Sequence, residues 1–135
     1  INQFIYPSTS ASVKSAQFND LRADIIIGGH SGLPFGESVG QNYWLNSGAI
    51  GMPANDATRD GWYLLLEQDD GVLSASWHRL QYDAQSEHQV MLARGLDNEY
   101  ADALLTGIWP SMDVLPQVER NQRGRVLNPD RLVLD

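Results

Sequence analysis

The residue with the clearest chemical potential in this chain is His30, which follows two glycines at the end of an apolar run, residues 25–27. An imidazole nitrogen is a neutral ligand for a transition metal, and an acceptor on its other nitrogen fixes the tautomer. Glycines let backbone atoms crowd around a ligand. We therefore interpret residues 28–31 as a metal or phosphate corner. The alternative is that His30 only bonds a backbone carbonyl at a strand end.

Four polar residues near this corner are candidates for binding substrate. Ser31 could orient a phosphate or a metal-bound water, and Asn46 and Ser47 could hydrogen-bond the loop that carries the ligand. Arg59 could balance phosphate charge with its fork of donors. Each also has a structural interpretation: a local backbone cap for Ser31, turn residues for Asn46 and Ser47, and an exposed loop for Arg59.

The remaining polar and aromatic residues favour structural roles. We expect His78 to face solvent from a strand and His88 to lie in a loop. We interpret four carboxylates as turn or cap residues: Asp69, Asp70, Asp97 and Glu99. We expect four tryptophans to be core or interface bulk: Trp44, Trp62, Trp77 and Trp109.

The segments that must position the corner alternate between helix and strand. The pattern predicts a helix over residues 10–22 and a central strand over 23–27, buried on both faces. Pro and Gly favour a loop over 33–40. A short strand over 42–45 and a turn of small residues over 46–53 follow.

The second half begins with a polar loop, residues 54–60, and a strong hairpin signal. Strands over 61–67 and 72–82 flank the Asp-Gly pair of the turn. Asp97 is placed to cap a helix that ends at Gly107.

Composition limits the class of protein. The chain has 135 residues, 42% of them hydrophobic, no cysteine and a formal charge of −8. One domain or part of one is expected, without disulfides, thiolate sites or a strong nucleic-acid surface. No apolar run has the roughly 20 residues that cross a bilayer, so we expect no membrane partner and a cytoplasmic location. Since Ile1 is not an initiator methionine, a fragment or processed product is the expectation.

Three segments in this order resemble one known family. They are Gly29-His30-Ser31-Gly32 after a buried strand, a proline-containing segment followed by residues 43–53, and the strand 62–67. The order is similar to that of the calcineurin-like metallophosphoesterases, in which a strand, Gly-His-x-His, a turn like Asn-Pro-Gly-Ser and a hairpin follow one another. The resemblance covers about residues 24–110.

The resemblance implies a fold, a reaction and a cofactor. The implied fold is α/β overall, α+β in this chain, as the C-terminal part of a two-layer αββα sandwich over residues 1–110. Residues 111–135 are an unassigned extension, and the four arginines among the last sixteen residues favour a solvated tail. The implied reaction is phosphoester hydrolysis of a phosphorylated small molecule or phosphodiester. His30 would be the metal ligand and catalytic residue. The cofactor would be a pair of divalent ions, with Mn, Fe, Zn or Ni chemically open.

Two departures from the family pattern limit what this chain does alone. Gly32 stands where the family has its second histidine, and the N-terminal motifs Asp-x-His, Gly-Asp-x-x-Asp and Gly-Asn-His-Asp/Glu are missing from residues 1–135. We therefore expect this chain alone to be inactive, with the missing half in cis or on another chain. The alternative is a non-catalytic binding or structural module that retains the fold with an incomplete metal site.

Overall fold

A computed structural model describes residues 3–135 and has mixed α/β structure of the α+β type. The described residues form two three-stranded sheets and four helices. In chain order the elements are α1 (Ala11–Leu21), β1 (Ile25–Gly28), β2 (Pro34–Val39), β3 (Asn42–Ser47), β4 (Gly61–Asp69), β5 (Val72–Leu80), α2 (Ala84–Ala93), α3 (Glu99–Thr106), α4 (Gln117–Arg120) and β6 (Leu132–Leu134).

Sheet A consists of β1, β3 and β2, in that spatial order. β1 runs parallel to β3, and β2 forms an antiparallel hairpin with β3. Side chains alternate along β3, so Trp44 faces α1 and Leu45 faces the second sheet. The α1 side of sheet A is filled by a cluster that includes Phe18 and Phe35.

Sheet B consists of β4, β5 and β6. The predicted hairpin is confirmed: β4 pairs with β5 along its whole length, and Asp70 and Gly71 at the turn both have positive φ, 46° and 82°. Positive φ at both central residues is the geometry of the tight turn that suits strand twist. The inner face of sheet B packs on sheet A through Leu45, Ala75 and Trp77. All four tryptophans are buried, as predicted.

The prediction of a loop over residues 33–40 was wrong, because residues 34–39 form β2. Pro34 begins the strand, where its missing N–H costs little. At Gly36 a side chain would overlap the ring of Trp77 from sheet B. The glycine is therefore a packing requirement between the sheets, whereas the sequence alone suggested a chain breaker.

The burial predicted for β1 was also wrong. β1 lies at the edge of sheet A, and Ile27 is 52% exposed, so the strand is not buried on both faces. The central strand of this sheet is β3, which continues to Ser47 and so includes part of the predicted turn.

The helices agree with the sequence in part. The predicted helix over residues 10–22 is present as α1. α3 stops at Gly107, as predicted, and Gly107 has the left-handed conformation. The N-cap of this helix is Asn98 and not Asp97, since the Asn98 side chain accepts from the two N–H groups that follow Glu99. The prediction of a loop at His88 was wrong, because His88 is buried within α2.

The last segment is packed against the domain, which corrects the expectation of a solvated extension. β6 pairs with β5 in an antiparallel register, and Leu134 lies in the core between the sheets. Leu115 is buried against Tyr6 and Trp109. None of the described helices is long and apolar enough to cross a membrane.

Candidate functional site

The corner predicted from sequence is a four-residue turn directly after β1. The Gly32 N–H donates to the Gly29 carbonyl at 3.1 Å, which places His30 and Ser31 at the two central positions. The His30 side chain is exposed, and its ring stacks on Phe4 with 4.6 Å between centroids and 10° between planes. Within residues 3–135 no group hydrogen-bonds the imidazole, so the interpretation of His30 as a strand-end cap finds no partner there. Among the residues that the structure describes, both nitrogens are left for a ligand.

Three of the predicted residues meet His30 at this corner. Asn46 Nδ2 donates to Ser31 Oγ at 2.7 Å, and Asn46 Oδ1 accepts from the Gly48 N–H at 3.0 Å. Both Ser31 and Asn46 are buried, at 5% and 3% exposure. A buried and satisfied amide of this kind fixes the two turns relative to each other.

Ser47 completes the contact between the two turns. Its hydroxyl lies 3.4 Å from the Gly28 carbonyl and 3.2 Å from the Gly48 carbonyl, so it donates to backbone groups. A Cβ at Gly29 would lie 3.2 Å from Ser47 Oγ. The glycine therefore allows the His30 turn to pack closely on the end of β3.

Parallel pairing explains why these residues meet. Gly28 lies opposite Asn46 in the register of β1 and β3. The carboxyl ends of parallel strands share one edge of a sheet, and functional loops gather there in open α/β sheets. The sequence predicts each residue, and the strand pairing brings them together.

Two cavities flank His30. One, of about 260 Å³, is lined by aromatic and apolar side chains that include Phe4, Tyr100 and Trp109. The other, of about 230 Å³, lies over Gly28 and is lined by Trp44 and Asn46 as well. The corner therefore has space on two sides for a small ligand.

Position 32, where the resemblance would place a second histidine, is a glycine in a tightly packed left-handed turn. Its φ is +71°, and a Cβ there would lie 3.0 Å from the Trp109 ring. Trp109 is buried, and its Nε1 donates to the Pro53 carbonyl at 2.6 Å, so the ring is fixed. The backbone at this position does not favour a second histidine in this chain.

The structure does not bring Arg59 to the corner. Its Nε donates to the Leu105 carbonyl at 2.8 Å, in the last turn of α3. Cations near a helix carboxyl end stabilise the helix. Its predicted role in binding substrate has no support from this geometry.

A complete metal site does not fit the part of the chain that the structure describes. Residues 3–135 contain no group of three or more His, Asp or Glu side chains that could hold a metal ion. His30 alone is one ligand, whereas the family's metal sites take three or more protein ligands. The other ligands of such a site would have to come from outside residues 3–135.

Sequence reasoning missed a buried ion pair in the loop 54–60. Asp56 is 1% exposed, and its carboxylate accepts from Arg79 Nη2 at 3.0 Å, from the Thr58 hydroxyl at 2.7 Å and from the Leu127 N–H at 3.2 Å. Burial raises the pKa of Asp56, but the hydrogen bonds from Thr58, Leu127 and Arg79 outweigh it and the pKa is lowered. The sequence does contain a signal of this buried pair. The alternation of Leu73, Ala75 and Trp77 predicts an apolar side chain at the next inward position of β5, and that position is Arg79.

Comparison with known proteins yields a fold and no family. No protein-family model and no curated protein matches the chain. The chain is similar in structure to a hypothetical protein, PH1004, of Pyrococcus horikoshii OT3, with a TM-score of 0.65 and 17% sequence identity. The match covers 79% of this chain and 42% of that one, so the chain spans less than half the length of its structural neighbour.

Proposed function

We propose that this chain is the C-terminal part of a calcineurin-like metallophosphoesterase domain, in which His30 binds one divalent metal ion. The observation that carries the proposal is the convergence of His30, Ser31, Asn46 and Ser47 at the carboxyl ends of two parallel strands. The packing of two β-sheets with α1 on one outer face also agrees with the implied sandwich.

In this proposal each residue at the corner has a distinct task. His30 presents an imidazole that has no hydrogen-bond partner among residues 3–135, and the stack on Phe4 holds the plane of its ring. Asn46 holds the Ser31 hydroxyl and the Gly48 N–H in fixed positions. Residues 3–135 do not supply enough ligands for the two metal ions. Catalysis therefore belongs to the domain completed in cis or by a second chain.

The second candidate is a non-catalytic binding module with the same fold. The nearness of the Trp109 ring to Gly32 favours this second candidate, because a histidine at position 32 would be disfavoured and the corner keeps a single histidine. The two candidates differ in whether His30 binds a metal ion.

The first experiment uses the chain itself and Mn²⁺, whose unpaired electrons broaden the NMR signals of nearby nuclei. Because His30 is one ligand of an incomplete site, we expect weak, fast-exchanging Mn²⁺ binding that broadens the backbone amides of residues 28–32 beside any broadening at exposed carboxylates. His30→Ala should abolish the broadening of residues 28–32. His78→Ala is the matched control, because His78 lies on β5 and should leave it intact. Broadening that survives in His30→Ala would overturn the metal role and favour the binding module.

The second experiment uses the completed domain, isolated from its source and sized by native mass spectrometry. His30→Ala is expected to lower both the bound metal and phosphodiester hydrolysis by at least about a hundredfold, since even partners of metal ligands contribute 10- to 100-fold. Unchanged metal content and an unchanged rate of phosphodiester hydrolysis would overturn the proposal.

A further inference from the structure

A third cavity, of about 230 Å³, lies where the last segment of the chain packs on the loop 54–60 and the start of β2. It shares no lining residue with the two cavities that flank His30. Apolar side chains make most of its wall, among them Pro34, Ala54, Leu115 and Leu127. We call this space the C-terminal cavity.

Asn55 places an unpaired donor in the wall of the C-terminal cavity. The residue is 4% exposed, and its Oδ1 accepts from the Trp109 N–H at 2.9 Å, which fixes the orientation of the amide. Its Nδ2 has no hydrogen-bond partner among residues 3–135. The indole N–H groups of Trp44 and Trp62 are also unpaired there but are fully buried, whereas Asn55 Nδ2 is not closed off in that way. A largely buried amide with an unused NH₂ group favours an oxygen acceptor beside it.

Arg123 and Arg125 add positive charge where the cavity opens to solvent. Both residues line the cavity, and both are exposed. The Arg123 guanidinium has no hydrogen-bond partner among residues 3–135, and Arg125 uses its Nη1 to donate to Gln122 Oε1 at 3.2 Å. Each guanidinium carries several N–H donors. Most of these donors are therefore left for a ligand.

Glu119 is the acidic residue among those that line the cavity, and it is held by other groups. It is 6% exposed, and its two carboxylate oxygens accept from the Ser8 N–H at 2.9 Å and from the Ser8 hydroxyl at 2.7 Å. The two guanidinium groups outnumber its single charge. The lining is thus net positive in a chain whose formal charge is −8.

We propose that the C-terminal cavity binds a short aliphatic carboxylic acid in its ionised form. The hydrocarbon chain lies against the apolar wall, and the carboxylate accepts from Asn55 Nδ2 and from the guanidinium of Arg123. A guanidinium matches the two oxygens of a carboxylate, and one negative charge costs less to desolvate beside apolar walls than the two of a phosphate monoester. The cavity is smaller than the roughly 300 to 1,000 Å³ of pockets for drug-sized ligands, so the acid is short.

The first test titrates the ¹⁵N-labelled chain with octanoate, below the concentration at which octanoate forms micelles. Octanoate is expected to bind at one site and to shift, with saturation, the side-chain amide of Asn55 and the backbone amide of Gly124, which donates to the Asn55 carbonyl at 2.9 Å. From butanoate to hexanoate to octanoate, the affinity should rise about fourfold for each CH₂ that is buried. Shifts that do not saturate, or an affinity that ignores chain length, overturn the proposal.

Two ligand controls test the chemical class. 1-Octanol keeps the chain without the charge, and octyl phosphate replaces the carboxylate by a more highly charged group. Octanol is expected to bind at least about tenfold more weakly, because it lacks hydrogen bonds to a charged group. Octyl phosphate is also expected to bind more weakly than octanoate. Equal binding of octanol assigns the cavity to apolar chains alone, and equal binding of octyl phosphate assigns it to organic anions in general; either result overturns the carboxylate assignment.

Arg123→Gln measures the contribution of the guanidinium. The variant should bind octanoate at least about tenfold more weakly, as expected for the loss of a charge-assisted hydrogen bond. Arg94→Gln is the matched control, because it changes the net charge equally at the end of α2 and lines no part of this cavity. Equal affinities in the two variants overturn the role of Arg123.

Asn55→Asp reverses the unpaired donor with little change in shape. Aspartate keeps the oxygen that accepts from the Trp109 N–H and tolerates the φ of +59° at this position, but it presents a negative oxygen in place of Nδ2. Octanoate binding should fall at least about tenfold, and undiminished binding overturns the role of Asn55. Circular dichroism checks that the variant is folded, and Arg123→Gln, at an exposed position, decides the proposal if it is not.

His30→Ala separates this inference from the proposed function, on which it does not rest. No residue of the His30 corner lines the C-terminal cavity, so octanoate binding is expected to persist in that variant. A chain that loses the Mn²⁺ broadening of residues 28–32 in His30→Ala but does not bind octanoate supports the proposed function and overturns this inference. Octanoate binding in a chain whose Mn²⁺ broadening ignores His30 has the opposite meaning.

Discussion

At the scale of single residues, the corner after β1 combines an exposed imidazole with buried supports. His30 is exposed and stacked on Phe4, whereas Ser31 and Asn46 beside it are buried and hydrogen-bonded to each other. Groups that bind ligands are most useful when their neighbours are fixed in this way. The same turn ends at Gly32, whose left-handed backbone favours glycine over a residue with a side chain.

The first prediction places a histidine at position 32, as in the Gly-His-x-His pattern of the family proposed for this chain. Gly32→His is expected to lower the free energy of unfolding by about 1–2 kcal/mol for the left-handed backbone, with a further loss from contact with Trp109. Zn²⁺ affinity, measured by calorimetry, should not rise, because the fixed indole occupies the space that the imidazole needs.

Gly32→Ala is the matched control, since it adds a Cβ without a metal ligand. Urea unfolding should show a loss of stability in both variants, and a larger one in Gly32→His, whose imidazole competes with the Trp109 ring for space. Tighter Zn²⁺ binding by Gly32→His at undiminished stability would contradict the argument.

The residues that meet at the candidate site were proposed from the sequence, but their contacts could not be predicted. His30, Ser31, Asn46 and Ser47 were all predicted by residue type and by position at strand ends. The stack of His30 on Phe4 and the unpaired N–H of Trp44 depend on how distant segments pack. A single sequence carries no signal for either.

At the scale of elements, loops and strands are held by a few buried polar contacts. The loop 54–60 has no regular structure, yet Asp56 joins it to Arg79 on β5 and to Leu127 in the last segment. The guanidinium of Arg79 also lies over the ring of Trp62, 4.4 Å from its centroid. This pair therefore connects three parts of the chain.

Asp56→Asn is expected to destabilise the protein by about 3 kcal/mol, because it leaves Arg79 with an incomplete partner in a largely buried site. The folded-state pKa of Asp56 is lowered, so its contribution is complete above the ordinary pKa of an aspartate, about 4. The contribution is lost as the pH falls through the lower folded-state value. Urea unfolding between pH 7 and pH 3 should therefore show that the free energy of unfolding falls less with decreasing pH in Asp56→Asn than in the unchanged chain.

Asp60→Asn is the control for this prediction. Asp60 lies 3.4 Å from Arg79 and is more exposed, at 22% for its side chain. Its replacement should cost no more than about 1 kcal/mol, as for surface pairs. Equal losses in the two variants would mean that the buried position of Asp56 is unimportant.

Periodicity and turn chemistry predicted the elements that depend on local sequence. The hairpin of β4 and β5, α1 and the end of α3 at Gly107 are of this kind. β2 was missed because Gly36 is required by the ring of Trp77 on the other sheet. The edge position of β1 was missed because strand order is a property of the whole sheet.

At the scale of the whole molecule, the two sheets share one core to which the last segment contributes. Leu45 from sheet A meets Trp77 and Leu134 from sheet B there. The structural neighbour, PH1004, is more than twice as long as the matched part of this chain, which covers 42% of it.

The last prediction tests whether β6 belongs to the cooperative unit. Leu134 is 7% exposed and Val133, its neighbour on the opposite face, is 50% exposed. Leu134→Ala is expected to lower the free energy of unfolding by about 2–4 kcal/mol, for the lost burial and the cavity left behind. Val133→Ala should change it by no more than about 0.5 kcal/mol, as for surface positions.

Circular dichroism and tryptophan fluorescence should show coincident transitions in both variants, since Leu134 packs in the cluster that contains Trp62 and Trp77. A Leu134→Ala variant as stable as Val133→Ala would mean that the last strand adds nothing to the fold.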